Sequence, residues 1–169
     1  MIPIARCKDI TLFADETGFF SFTNSPYYAH RHLSSVDVYP RRGVREICSP
    51  VEGIVIEARR LKIMEDYFIA VEAGESGTCA KILHAKPHVN VGDHVDPRNV
   101  IGSLVRSPFY SFWTDLHIHV EVRPVNDRLR ARGGYNLDPT PTLSQLKLNC
   151  RTSESFRVVE TSDRYTLLE

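Results

Sequence analysis

Residues 114–124 read TDLHIHVEVRP. The run alternates apolar and polar residues, and on a strand residues i and i+2 share a face. Leu116, Ile118, Val120 and Val122 then lie on one side, and His117, His119, Glu121 and Arg123 on the other. The apolar side has a core as its destination. Two neighbouring imidazoles add little to stability on a solvent face, so a metal or a reacting group accounts for them. Two such histidines can bring ring nitrogens within ~2 Å of one zinc ion, or one can bind it while the other faces substrate.

The same strand pattern recurs outward from this stretch. Residues 53–58 (GIVIEA), 67–73 (YFIAVEA), 79–85 (CAKILHA) and 100–105 (VIGSLV) are short runs, most of them β-branched or aromatic. Turn signals separate them at Ser49-Pro50, Gly74 to Gly77, Asn90 to Asp93, Asp96-Pro97 and Ser107-Pro108. Strands spaced by turns predict an all-β fold: a two-sheet, mostly antiparallel sandwich or barrel-like core with little helix. The exceptions are a short helix expected over 140–148 and a basic, turn-rich loop from Arg123 to Gly134. Strand-like alternation returns near the end in FRVVE (156–160) and YTLLE (165–169).

A chain of 169 residues is long enough for one domain with a real core. Its 21 basic and 21 acidic residues balance, so bulk charge supplies no footprint for nucleic acid. No run approaches the ~18 apolar residues of a membrane span. Arg6, Lys8, Asp9, Asp15 and Glu16 interrupt any export-signal hydrophobic region, which reads as a soluble, cytoplasmic chain, although a secreted chain trimmed of its leader reads the same way. Cys7, Cys48, Cys79 and Cys150 are widely and irregularly spaced; free thiols are expected, with one long-range disulfide as the alternative.

Upstream, residues 30–40 read HRHLSSVDVYP. A histidine followed shortly by an aspartate before a strand-like segment supplies one nitrogen and one oxygen ligand. Catalytic zinc takes three protein ligands and keeps a position for water, and His32, Asp37 and His119 make that set. Four residues separate His32 from Asp37, so both reach one ion only if the chain bulges or turns at Leu33-Ser34-Ser35. His30 is the rival first ligand. His88 and His94, flanking the turn VNVGD, read as exposed loop histidines. Tyr110 and Trp113 either line a substrate groove or cap the core.

Taken in order, the motifs resemble the lysostaphin-type (LytM-like) zinc metallopeptidases, whose fold is the duplicated hybrid motif. The resemblance rests on His32-Leu-Ser-Ser-Val-Asp37, Ser49-Pro-Val-Glu-Gly-Ile-Val55 and Ile82-Leu-His-Ala85. It continues through Val89-Asn-Val-Gly-Asp-His-Val95, Val100-Ile-Gly102, His117-Ile-His-Val-Glu-Val-Arg123 and Asn136-Leu-Asp-Pro139. It implies a peptidase-like β domain over 28–143, preceded by an extension (1–27) packed on the core and followed by another (144–169). It implies zinc held by His32, Asp37 and His119, with His84 and His117 as the two histidines that act without binding the ion. The implied reaction is hydrolysis of a peptide bond by a zinc-activated water, on peptide or glycopeptide substrates of the cell-wall type. Glu121 either orients a histidine or is a partly exposed strand carboxylate. The family's first pair has three residues between its ligands, one of them glycine; here there are four and no glycine. That departure, with the expected location inside the cell, motivates an alternative: a weak or inactive binding module on the same scaffold, recognising a peptide, glycan or protein. Carrier-domain kinship, with the paired histidines carrying phosphate, is a third reading; Asp37 and the HxHxE strand argue for metal instead.

Overall fold

A computed structural model describes residues 1–62, 65–74, 77–110, 114–145, 157–161 and 166–168. The protein is all-β. In chain order the strands are β1 (Ile2–Cys7), β2 (Ile10–Ala14), β3 (Phe19–Ser21), β4 (Val36–Tyr39), β5 (Glu46–Cys48), β6 (Gly53–Leu61) and β7 (Asp66–Glu72). There follow β8 (Thr78–Leu83), β9 (Ala85–Pro87), β10 (His94–Val95), β11 (Val100–Leu104), β12 (Ile118–Pro124), β13 (Val158–Thr161) and β14 (Thr166–Leu168). Among the described residues, helix is confined to α1 (Tyr28–Arg31), a 3-10 turn at Val125–Asp127 and α2 (Thr140–Gln145). The expected helix over 140–148 thus runs to Gln145, and its last residues lie outside the described ones.

The principal sheet has seven strands in the order β10-β6-β7-β8-β12-β4-β3, every pair antiparallel. β12 is an interior strand, bonded to β8 on one side and β4 on the other. A three-stranded sheet (β5-β11-β9) and the β1–β2 hairpin are separate ladders. Period-two alternation makes the large sheet two-faced. Val36, Val55, Ile69, Val71, Ile82, Ile118 and Val120 form one apolar core with Ile4 and Leu12 of the hairpin and with Ile47, Ile101 and Leu104 of the small sheet. Strands β1 and β2 therefore contribute to the core, and an isolated bridge between Arg6 and Asp138 ties β1 to the segment before α2. β6 and β7 meet so closely that a Cβ on Gly53 would lie 2.0 Å from the Glu72 carbonyl oxygen. Only glycine fits there, which is the physical content of the Ser49-to-Val55 motif. β13 and β14 pair with each other as a separate hairpin, in the segment whose alternation suggested strands. Cys7, Cys48 and Cys79 are free thiols; Cys150 lies outside the described residues.

The other face of the large sheet carries the polar set. Cross-strand register places Asp37 directly opposite His119, His119 opposite Leu83, and Glu121 opposite Lys81. Opposed residues on one face hold their Cβ atoms about 5 Å apart, so strand pairing alone brings these groups together.

Candidate metal centre

Asp37 and His119 meet because β4 and β12 are paired, but the first histidine arrives by another route. Residues 28–31 form a single helical turn. A helix rotates about 100° per residue, so His30 and His32 point in nearly opposite directions, where a strand would have put them on one face. His30 is buried, whereas His32 is exposed and packs its ring 4.0 Å from that of Tyr28, one turn earlier. The chain then turns at Leu33, whose φ is +49°, and Ser34 donates its N–H back to Ala29 at 2.8 Å. That turn delivers His30 Nε2 to 3.2 Å from Asp37 Oδ1, while His119 Nδ1 lies 2.9 Å from the same oxygen. His30, Asp37 and His119 form a metal-competent group, with one donor atom from each within 4.8 Å of the others. Of the sequence-derived set, Asp37 and His119 are in it and His32 is not.

The chemistry of the donors fits a cation. His30 Nδ1 lies 2.9 Å from the Phe22 carbonyl, which can only accept, so Nδ1 carries the proton and Nε2 presents a lone pair. His119 Nε2 faces the Glu121 carboxylate at 3.4 Å, which leaves Nδ1 to face Asp37. Two nitrogens thus aim at one carboxylate oxygen, an arrangement that repels unless a proton or a metal stands among them. Donors in a tetrahedral zinc shell sit about 3.3 Å from one another, close to both observed separations. Without metal, a proton takes that place. Burial works against charge on His119, but its hydrogen bonds to Asp37 and Glu121 prevail and raise its pKa to about 9. Burial likewise opposes charge on Asp37, yet the hydrogen bond from His119 and the charge His119 carries hold it well below the ordinary carboxylate range.

Both histidines expected to act without binding the ion lie beside this group. His117 Nδ1 lies 2.8 Å from the Asp115 carbonyl, and Nε2 lies 3.3 Å from Asp37 Oδ2. Its ring stacks on Tyr110 at 4.3 Å, and its peptide unit is gripped by the Tyr110 hydroxyl, which accepts the His117 N–H at 3.1 Å and donates to the carbonyl at 2.5 Å. Burial lowers the His117 pKa to about 4, so it is neutral at pH 7. Tyr110 therefore belongs to the site; Trp113 lies outside the described residues. His84 sits at the break between β8 and β9 with φ +74°, a left-handed conformation that costs about 1–3 kcal/mol for a non-glycine residue. Its N–H bonds Tyr67 at 3.3 Å and its carbonyl accepts from Val105 at 3.0 Å. The ring centroids of His84 and His117 are 5.6 Å apart.

Among the described residues, two buried participants, Asp66 and Lys81, lie outside the sequence motifs. Asp66 meets His84 Nδ1 at 2.6 Å. Lys81 donates to Glu121 at 2.6 Å, and so does the fully buried Arg123. Burial opposes charge on Glu121, but the bond from His119 and the Lys81 ammonium bring its pKa to about 2. Glu121 is thus a buried anion beside His119, not an exposed strand carboxylate. His88 and His94 are both exposed, away from this cluster. The group opens into a cavity of about 460 Å³ whose wall includes Tyr27, Tyr28, Leu83, Phe109 and Leu129.

These features define an all-β protein with a His/Asp/His group on the polar face of its main sheet and two further histidines around it. Residues 11–139 match the family described as the N-terminal domain of a domain of unknown function, DUF8155, and the chain belongs to that family. No curated protein and no solved structure matches it. Among the described residues, no helix is long and apolar enough to cross a membrane.

Proposed function

We propose that the protein is a zinc-dependent hydrolase of the peptidase type, acting on a peptide or glycopeptide, as the ordered resemblance to lysostaphin-type peptidases suggests. One observation carries this reading: His30 Nε2 and His119 Nδ1 both aim at Asp37 Oδ1, at 3.2 and 2.9 Å, with the opposite nitrogen of each ring tied to an oxygen acceptor. His30, Asp37 and His119 would hold the ion. Zinc, when bound, polarises a scissile carbonyl and acidifies water. The chain's own residues do the rest. Glu121, anchored by Lys81 and Arg123, fixes the orientation of His119. His84 and His117 stand at the cavity as neutral imidazoles suited to moving a proton. Tyr27, Tyr28 and Phe109, exposed at the cavity, offer apolar surface to a bound chain.

The same aromatic surface supports the second reading, a binding module without turnover. Both are tested on metal-stripped protein reloaded with zinc and offered a pool of quenched fluorescent peptides. The hydrolase reading expects one zinc per chain, cleavage that a chelator abolishes and zinc restores, and loss of both in His119→Ala. Stoichiometric zinc with no cleavage favours the binding module; equal zinc in His119→Ala refutes the ligand assignment.

A further inference from the structure

The Asp66 carboxylate lies on the same sheet face as the His/Asp/His group, since it begins β7, whose Phe68 pairs across to Leu83 and thence to His119. It is fully buried, and each oxygen is already filled by a donor. Oδ1 accepts the Tyr67 N–H at 2.7 Å. Oδ2 accepts the Ser107 hydroxyl at 2.9 Å, and that hydroxyl's own lone pair is taken by the Phe109 N–H at 3.2 Å. The remaining contact at Oδ2 is His84 Nδ1, at 2.6 Å. A carboxylate so surrounded can only accept, so the His84 proton must sit on Nδ1. Its Nε2 is then an unprotonated nitrogen that bonds to no described residue, on a ring that lines the cavity. His117 differs: its Nδ1 leans on a neutral carbonyl, and its Nε2 already faces Asp37.

We propose that Asp66, supported by Ser107, is a positioning residue that locks His84 in the tautomer with a basic Nε2, and that His84 is the histidine that takes the proton in the hydrolysis. The second half rests on the peptidase reading. As the water oxygen bonds to the peptide carbonyl carbon, its O–H bond breaks and the proton passes to His84 Nε2. When the C–N bond breaks, that proton goes to the departing amine, so the products are a carboxylic acid and an amine and nothing is oxidised or reduced.

Replacing Asp66 by Asn makes a specific demand. The Asn oxygen must stay toward the Tyr67 N–H, so its NH₂ turns toward His84 and Ser107, and the imidazole must present a lone pair at Nδ1. The test is the protonation of the two His84 ring nitrogens by ¹⁵N NMR, in the parent, Asp66→Asn and Ser107→Ala, together with turnover of a peptide that the zinc-loaded parent cuts. The expected result is hydrogen on Nδ1 in the parent and in Ser107→Ala, and on Nε2 in Asp66→Asn. In that variant kcat falls at least about 100-fold, with KM within a few-fold and zinc still bound. Hydrogen on Nε2 in the parent overturns the proposal even if Asp66→Asn does not fold. An unchanged tautomer in Asp66→Asn overturns the positioning role, and a switched tautomer with unchanged kcat overturns the proton-accepting role. A zinc-loaded parent that cuts nothing defeats the peptidase reading and the proton step with it, whereas the tautomer result still decides what Asp66 does.

Discussion

On one face of β12, Ile118, Val120 and Val122 are fully buried in the core; on the other, Glu121 and Arg123 are as deeply buried and His119 nearly so. Burial therefore does not distinguish the two faces; what the side chains require does. The apolar face is satisfied by any neighbour of the right volume. The polar face is satisfied only by specific partners: Asp37 for His119, Lys81 and Arg123 for Glu121, Asp127 and the Arg132 carbonyl for Arg123. Stability and function can be separated by face, except where a polar residue serves the fold.

Arg123 is that exception, and replacing it is the strongest way to break the comparison. Arg123→Met removes four hydrogen bonds and leaves Glu121 with one cation fewer. Uncompensated buried charge of this kind costs about 3–5 kcal/mol, to be read as a lower midpoint in urea unfolding. Ile118→Ala, on the opposite face of the same strand, should cost about 2–5 kcal/mol by leaving a cavity. It should leave zinc affinity of the folded fraction unchanged, which titration below the unfolding midpoint checks.

A gentler probe is pH. The metal-free chain holds a proton on His119 up to about pH 9, and zinc must displace it. Apparent zinc affinity should therefore rise about tenfold per pH unit from 7 toward 9 and level off above. The sign for stability is opposite. A histidine with a raised pKa stabilises the metal-free fold below its unfolded value of about 6.5, and that contribution is lost as pH rises through about 9. Zinc-loaded protein should not show that loss in thermal melts.

β12 was readable from its own residues because a strand's two faces follow directly from alternation. The turn preceding β4 was not. Read with strand parity, the segment from His30 to Asp37 favours no histidine clearly, and the structure sets His30 rather than His32 beside Asp37 because one turn of helix, too short to show a 3.6-residue period, reverses the two faces. Asp66 was missed for a narrower reason. The apolar run begins at Tyr67, and moving the strand start one residue earlier puts a carboxylate on the face shared by Phe68 and Ala70. Even then, the partnership with His84 depends on the β7–β8 register and on the break after Leu83, neither of which has a local signature. Lys81 stood in plain view in CAKILHA, but its role exists only opposite Glu121. The hairpin β1–β2, expected as an extension packed on the core, places Ile4 and Leu12 in the core cluster.

The most direct test counts zinc per chain, by metal analysis after dialysis, in the parent, His30→Ala and His32→Ala. The proposed centre predicts one ion in the parent, none in His30→Ala and one in His32→Ala, since only the first imidazole faces Asp37. A parent without zinc, a His30→Ala chain that keeps its ion, or a His32→Ala chain that loses it would each contradict the account.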